Sequence, residues 1–144
     1  MDEKTINEFL FSTDKNKLQV NVIYNYLSKE SYWAQNIPLE IVKQSIEGSI
    51  CFGVYYKDQQ IGYARVVTDC ATFGYLADVF ILQPFRGKGL SKQLMQFIMD
   101  NPAFKKIRRF MLATKDAQGL YKQFGFSQLA MPERIMEIKF FETY

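Results

Sequence analysis

The sequence of 144 residues contains no histidine and only two cysteines, Cys51 and Cys70. Without histidine, the Ser-His-Asp and Cys-His catalytic units are excluded, and a zinc site is disfavoured because a principal ligand is missing, so we expect no metal. The cysteines lack C-x-x-C spacing and lie in apolar, strand-like sequence, which predicts reduced core thiols and a cytoplasmic location. Acid–base chemistry must therefore use Glu, Asp, Tyr, Lys, Cys or ordered water.

Long apolar runs and a strong excess of charge are also missing. No segment approaches the ~20 apolar residues needed to span a bilayer, and the first residues lack the apolar core of a signal peptide. Lys and Arg number 18 against 15 Asp and Glu, which gives a net charge of +3. That net charge is small for a nucleic-acid-binding domain. Steep salt-dependent binding to DNA would be needed to support that alternative. We expect neither a membrane nor a nucleic acid as partner.

The sequence is rich in apolar residues, at 48%, and in aromatic residues, at 16%. This composition and length predict one compact domain over residues 1–144. The apolar patterns predict a strand (5–12), two helices (17–27 and 39–47), three strands (50–57, 61–68 and 73–82), a helix from about Gly89, a strand (108–114), a helix (117–124) and two last strands (126–130 and 135–141). Hairpins followed by crossover helices predict an α/β fold, a mixed sheet covered by helices on both faces.

A loop with two glycines, Gly87 and Gly89, joins the third of those strands to the next helix. Glycine lets the backbone turn tightly, and the free amides at a helix start favour an anion such as a pyrophosphate. Arg86, Lys88 and Lys92 add positive charge. The Walker A spacing is absent, and Lys92 occupies the third glycine position of a dinucleotide fingerprint. The alternative is that the glycines only form a strand-to-helix turn.

These residues resemble the acetyl-CoA signature of the GNAT superfamily of N-acetyltransferases, Arg/Gln-x-x-Gly-x-Gly/Ala. Here it reads Arg86-x-x-Gly89-x-Ser91, with Ser91 in place of the usual Gly or Ala. The resemblance implies an acyl-CoA N-acyltransferase fold over nearly the whole chain, with acetyl-CoA as donor. It implies that backbone groups of the strand end bind the pantetheine arm and that the loop amides bind the pyrophosphate. The implied cofactor-binding residues are Phe80, Ile81, Leu82, Arg86, Gly87, Lys88, Gly89, Leu90, Ser91 and Thr114.

A second motif runs from Ala117 to Phe126 and is similar to the family's Ala-x-x-Leu-Tyr-x-x-x-Gly-Phe helix. The resemblance places Tyr121 near the thioester sulfur. A phenol with a pKa of about 10 is protonated at neutral pH and can protonate a departing thiolate. The alternative is a packing tyrosine. Thr114 stands where the family often has Asn. The basic run 105–109 is a candidate contact for the adenosine 3′-phosphate, and the alternative is that it is only solvated.

The general base is less clearly marked in the sequence. Asp78 is the one acid in an otherwise apolar strand, so it is a candidate base, and a structural Asp that bonds its neighbours is the alternative. A water molecule could also accept the proton, and Asp69 is a weaker candidate. Arg65 lies on an alternating strand and is expected to face solvent; the alternative is that it reaches the sheet face that bounds the acceptor.

The acceptor site is expected between the first helices and the central strands, where Tyr32, Trp33 and Gln35 lie in an irregular loop. Trp33 either packs in the core or lines the substrate pocket. The sequence predicts direct transfer in a ternary complex to a small-molecule or protein amine, because neither cysteine lies in a nucleophile motif. A non-catalytic acyl-CoA-binding sensor and a longer acyl donor are alternatives. A homodimer is possible because an exposed final strand often pairs.

Overall fold

Six strands form one mixed sheet in the computed structural model, which describes residues 2–144. In chain order the strands are β1 (Glu3–Ile6), β2 (Phe9–Ser12), β3 (Ile50–Tyr56), β4 (Gln59–Thr68), β5 (Phe73–Ile81) and β6 (Arg109–Leu112). They also lie in this order across the sheet. β1 to β5 are antiparallel neighbours, and β6 is parallel to β5. The mixed sheet predicted from the sequence is confirmed.

The helices are short and connect the strands. They are α1 (Val20–Asn25), α2 (Leu39–Glu47), α3 (Leu90–Met99) and α4 (Gln118–Lys122). α1 runs directly into a π-helical turn at Tyr26–Glu30, a form often found at functional sites. No helix in the described part of the chain is long and apolar enough to cross a membrane.

Both faces of the sheet are covered. On one face, α3 buries Leu94 and Ile98 against strand residues such as Phe52. On the other face, α1 and α2 pack on Tyr63 and other strand residues. Successive strand residues point to opposite faces of the sheet. The helices on each face therefore pack on a different set of strand side chains, and two hydrophobic clusters form with the sheet between them.

Several predicted elements differ from those observed. The strand predicted at 5–12 is a hairpin of β1 and β2, because the chain turns at Asn7, whose φ of 54° is a left-handed conformation that Asn tolerates. The helix predicted at 17–27 starts at Val20, since Lys15–Lys17 form a separate 3₁₀ turn capped by Asp14.

The two final strands, predicted at 126–130 and 135–141, are wrong for this structure. No ladder joins either segment to another strand of the described chain, and every residue from Ser127 onward is exposed. An alternating pattern can only become a strand when another strand supplies hydrogen-bond partners.

Candidate active site

A cleft opens between β5 and β6 where the two strands stop pairing. The ladder joins Phe73–Leu76 to Arg109–Leu112, whereas β5 continues to Ile81. The cleft contains a cavity of about 560 Å³. Its lining comes from the loop after α1, from β4 and β5, and from the segment between β6 and α4, and includes Tyr32, Trp33, Arg65, Asp78, Thr114 and Tyr121.

A β-bulge in β5 forms part of the cleft wall. Between the register pairs Tyr63–Phe80 and Arg65–Ala77, β5 has two residues and β4 has one. Asp78 is at the bulge, with a φ of 56°. A bulge interrupts the ladder and redirects side chains. Backbone polar groups of β5 are therefore released from strand pairing beside the cavity.

The Asp78 carboxylate is held by two donors. The Arg65 Nε donates to its Oδ2 at 2.6 Å and the Trp33 Nε1 donates to its Oδ1 at 2.8 Å. Arg65 also donates to the Ser49 hydroxyl at 3.2 Å. Burial opposes the charge on Arg65, but the Asp78 carboxylate outweighs burial and raises the Arg65 pKa. The prediction that Arg65 faces solvent was wrong, since its side chain is 20% exposed and paired.

Tyr121 forms a wall of the cleft. Its side chain is buried, and it also lines a second cavity of about 480 Å³ beside β6. Burial raises its pKa to about 12, and the nearby Tyr32 and Asp116 add to the shift. The phenol is therefore protonated at neutral pH and is available as a hydrogen-bond or proton donor to a group in the cleft.

The glycine loop lies between β5 and α3 and exposes bare backbone. Gly87 and Gly89 have φ values of 80° and 79°. No atom lies within 4 Å of a Cβ built at either glycine, so space above the loop is open. Gly89 is the N-cap of α3, and the first amides of that ten-residue helix have no intrahelical acceptor. Leu90, the first residue of α3, buries its side chain in the core.

Arg86 braces the loop. Its Nε donates to the Ile81 carbonyl and its Nη2 to the Tyr26 hydroxyl, both at 2.9 Å. The Tyr26 ring stacks on Phe80 with ring centroids 4.0 Å apart. The Arg86 guanidinium, predicted to add positive charge at the loop, thus also links the end of β5 to the π-helical turn. The sequence motif gave no signal for Tyr26, because the two partners are 60 residues apart.

The acceptor side of the cleft is aromatic. The Tyr32 hydroxyl accepts the Lys115 amide at 2.9 Å, and the Lys115 ammonium lies 5.4 Å from the Tyr32 ring centre. Tyr32 and Trp33 pack edge to face at 5.0 Å. Thr114 lines the cavity while its hydroxyl accepts the Ala117 amide at 3.0 Å, so it orders the start of α4. Of the three loop residues named from the sequence, Tyr32 and Trp33 line the cavity and Gln35 does not.

Two other candidates from the sequence lie away from the cleft: Asp69 as a base and the basic run 105–109 as a contact for the adenosine 3′-phosphate. Asp69 accepts hydrogen bonds in the turn before β5, and those from Thr72 hold its pKa well below the usual range. That turn is at the opposite end of β5 from the glycine loop, so position argues against Asp69 as base. The basic run 105–109 follows the C-terminal end of α3, which is about 15 Å long. It therefore lies far from the loop at the other end of that helix.

The two cysteines are free. Cys51 is buried, and burial raises its thiol pKa although the Tyr63 hydroxyl lies 3.3 Å from its sulfur. Cys70 is half-buried in the turn after β4. Neither thiol lines the cleft. Among the described residues, no three His, Cys, Asp or Glu side chains are grouped so that they could hold a metal ion.

A mixed sheet with a cleft between diverging parallel strands, a bulge on one wall and a glycine-capped helix at its end defines an acyl-CoA N-acyltransferase fold. The acetyltransferase (GNAT) domain family matches residues 47–128. A Gibberella zeae protein is 33% identical, and the match covers 81% of this chain and 77% of that protein. A crystal structure from Xanthomonas campestris pv. campestris is 42% identical, with a TM-score of 0.91 over 94% of this chain and 95% of that chain. Both relatives carry the name "putative acetyltransferase".

The chain therefore belongs to the GNAT family of acetyltransferases. A protein of Clostridium acetobutylicum, described as a "predicted acetyltransferase with acetyl-CoA", has the same fold at 13% identity, with a TM-score of 0.67 over 91% of this chain and 94% of that chain. The family resemblance read from the two sequence motifs is confirmed.

Proposed function

We propose that this chain transfers the acetyl group of acetyl-CoA directly to a primary amine. The observation that carries the proposal is the position of Tyr121. It is a buried, protonated phenol on one wall of the cleft, with the β5 bulge on the other wall. Family membership supports the acetyl group, and the glycine loop at the start of α3 supports a pyrophosphate-bearing donor.

Donor binding would use mainly backbone groups. The amides from Gly87 to Ser91 suit a pyrophosphate because the loop is open and begins a helix. Residues 80–82 form the end of the β5 wall and would pair with the pantetheine arm. Arg86 holds that wall through the Ile81 carbonyl, and Thr114 would face the donor from the other wall. Lys88 is exposed and supplies charge beside the loop.

In the proposed reaction the amine nitrogen attacks the thioester carbonyl, a C–N bond forms and the C–S bond breaks. Backbone N–H groups released at the bulge would stabilise the oxyanion, and Tyr121 would donate its proton to the departing sulfur. The ammonium intermediate loses its proton to Asp78 or to a water. Arg65 and Trp33 each donate a hydrogen bond to one Asp78 oxygen. The second lone pair of either oxygen must therefore accept the proton directly or accept a hydrogen bond from the water that takes it.

Direct transfer is preferred to an acetyl-enzyme route because neither free thiol lines the cleft. The free thiols also support a reducing, cytoplasmic setting. The aromatic lining and the mixed charges of Asp78, Lys115 and Asp116 leave the acceptor as a small-molecule or protein amine. The second candidate, an acyl-CoA sensor without turnover, is favoured only because each Asp78 oxygen already accepts one hydrogen bond.

The test is release of free CoA from acetyl-CoA across a panel of amines, for the wild-type chain and for Tyr121→Phe. We expect kcat of Tyr121→Phe to fall by about 100-fold or more, because a positioned acid contributes on the order of 10²–10⁴. CoA binding, measured by the rise in Tm when CoA is added, should be the same in Tyr121→Phe as in the wild-type chain. The Cys70→Ser background removes the half-exposed thiol that would consume the thiol reagent.

Each outcome has a distinct meaning. If CoA raises Tm and no amine gives turnover, the acyl-CoA sensor hypothesis replaces the acetyltransferase hypothesis. If CoA neither raises Tm nor supports turnover, the donor proposal is wrong. If Tyr121→Phe keeps full kcat, Tyr121 is a packing residue and the thiolate takes its proton from elsewhere.

A further inference from the structure

The wall of the cleft contains an ion pair that is nearly buried. The Arg65 Nε donates to the Asp78 Oδ2 at 2.6 Å, and both residues line the cavity of about 560 Å³. Their side chains are only 20% and 9% exposed. Burial of two charges costs desolvation free energy, so such a pair is weak evidence for a purely stabilising role. Its place on the cavity wall makes it a candidate for recognition of a charged acceptor.

The Arg65 guanidinium is held in a fixed orientation and still has free donors. Its Nη1 donates to the Ser49 hydroxyl at 3.2 Å, and that hydroxyl donates to the Ser45 carbonyl at 2.7 Å. A guanidinium has five N–H groups, and the bonds to Asp78 and Ser49 use two of them. In the described part of the chain, the Tyr55 hydroxyl is the only fully buried polar atom of a side chain that lacks a hydrogen-bond partner. The unbonded Arg65 Nη2 is therefore accessible from the cavity and is not sealed in the core.

The pair presents a dipole to the cavity and no net charge. A lone anion bound to Arg65 also meets the negative charge of Asp78, and a lone cation beside Asp78 also meets the guanidinium. A ligand with an ammonium and a carboxylate on the same carbon can meet each member of the pair with the opposite charge. Its carboxylate accepts from the free Arg65 N–H groups while its ammonium lies beside Asp78. The pair therefore favours a zwitterion over a simple amine.

The walls around the pair are aromatic. Tyr32, Trp33 and Tyr75 line the cavity and are 46%, 40% and 36% exposed. In ligand sites, exposed rings accept the apolar part of a ligand and a few polar groups fix its orientation. Another cation of the cavity, Lys115, lies over the Tyr32 ring at 5.4 Å from its centre. Because Lys115 is not bonded to Asp78, it provides a matched control for the charge of Arg65.

We propose that the acceptor is a free α-amino acid with an apolar side chain, and that Arg65 selects it by binding its carboxylate. This inference rests on the proposed acetyl transfer and narrows its acceptor. The amine nitrogen forms the C–N bond to the acetyl carbon, the C–S bond breaks, and the ammonium proton passes to Asp78 or to a water. The carboxylate stays on Arg65 and is unchanged. A lysine side chain or an N-terminus within a protein has a peptide carbonyl in place of this carboxylate, so protein acceptors are excluded.

Matched acceptors test the proposal on the wild-type chain. Phenylalanine and leucine are each compared with their amides, which keep the amine and the side chain but lose the negative charge. We expect kcat/KM for each acid to exceed that for its amide by about 10–100-fold, the factor that a hydrogen bond to a charged group supplies. Conversion to the amide lowers the pKa of the neighbouring amine and so increases its reactive, neutral fraction. A preference for the acid therefore cannot arise from amine basicity.

Substitution of Arg65 tests whether this residue carries the preference. Arg65→Gln removes the charge and the free guanidinium donors, so the ratio of kcat/KM between acid and amide should fall by about 10-fold or more. Structural damage alone would lower both rates and leave their ratio unchanged. Lys115→Gln removes a different cation of the cavity and should keep the wild-type ratio. If Arg65→Gln does not fold, the wild-type ratio and the calorimetry below decide alone.

Calorimetry separates failure of this inference from failure of the acetyl transfer. Phenylalanine and its amide are titrated into the chain saturated with CoA, which carries no acetyl group to transfer. If the acid binds about 10-fold more tightly than the amide and no amine gives turnover, the acceptor class stands and the acetyl transfer is wrong. Equal kcat/KM for acids and amides, an unchanged ratio in Arg65→Gln, or a lost ratio in Lys115→Gln would each overturn this inference and leave the acetyl transfer intact.

Discussion

Asp78 is the residue at which backbone and side-chain constraints meet. Its φ of 56° is a left-handed conformation, which costs most L-residues about 1–2 kcal/mol. Asp and Asn accept this conformation more readily, because their short polar side chains can form local hydrogen bonds. The bulge it occupies turns its carboxylate to Arg65 and Trp33. The same residue therefore shapes the β5 wall and places a carboxylate in the cleft.

Substitution of Asp78 separates these roles. Asp78→Asn keeps a tolerant backbone but leaves Arg65 without its ionic partner, so we expect a loss of about 1–3 kcal/mol. Asp78→Ala should lose roughly 1 kcal/mol more, because alanine is strained at this φ. Urea unfolding of both variants measures the difference. Equal stabilities would contradict the argument for backbone strain, and wild-type turnover in Asp78→Asn would remove Asp78 as base and leave water.

The sequence predicts some residues of the candidate site and misses others. Tyr121 and the two loop glycines can be proposed as site residues from the sequence, because they lie at fixed spacings within short motifs. Arg65 was assigned to solvent because alternation along one strand cannot show that a bulge in the neighbouring strand presents Asp78 to it. Tyr26 was missed because its bond to Arg86 depends on the tertiary fold.

At the scale of elements, two glycines, Gly89 at the start of α3 and Gly119 inside α4, differ in backbone conformation. Gly89 has a φ of 79°, whereas Gly119 lies within α4 and is not in a left-handed conformation. A Cβ at either position would have no atom within 4 Å. Backbone conformation alone therefore distinguishes the two sites.

Alanine substitution tests that difference. We expect Gly89→Ala to cost about 1–2 kcal/mol, because it strains the loop, and to weaken CoA binding by about 10-fold. Gly119→Ala should stabilise the chain by about 0.5–1 kcal/mol, because glycine is unfavourable inside a helix. Urea unfolding and titration calorimetry with CoA measure the two effects. A stabilising Gly89→Ala with unchanged CoA affinity would contradict the role of the loop.

The elements with continuous apolar patterns were well predicted. α3 and β3 to β5 match their predicted ranges to within about two residues, because burial in the sheet and its cover decides their conformation. The opening hairpin and the π-helical turn were missed, since single turns depend on local backbone choices. The segment 135–141 has strand periodicity without a ladder, and periodicity cannot supply a partner.

At the scale of the whole molecule, burial of tyrosines makes stability depend on alkaline pH. Burial raises the pKa of Tyr121 to about 12, and raises those of Tyr55 and Tyr63 well above the usual value. The unfolded chain releases these protons near pH ~10, before the folded chain does. Their contribution to stability is therefore full below about pH 10 and is lost as pH rises through about 12.

We expect the urea midpoint to be flat from neutral pH to about 9 and to fall above about 10. Tyr55→Phe should flatten that fall, and it should also raise stability by roughly 1 kcal/mol, because the buried Tyr55 hydroxyl has no hydrogen-bond partner in the described chain. Urea unfolding across this pH range is the measurement. A midpoint that falls as steeply in Tyr55→Phe as in wild type would show that Tyr55 contributes nothing.

The chain contains one tryptophan, and it lies where chemistry is proposed to occur. Trp33 lines the cleft and donates its indole N–H to Asp78. Indole emission responds to nearby charge, to hydrogen bonding and to the entry of water. The protein therefore carries a built-in optical probe of its acceptor cavity. Amines can be screened by the change in that emission before any turnover is detected, without labelling the chain.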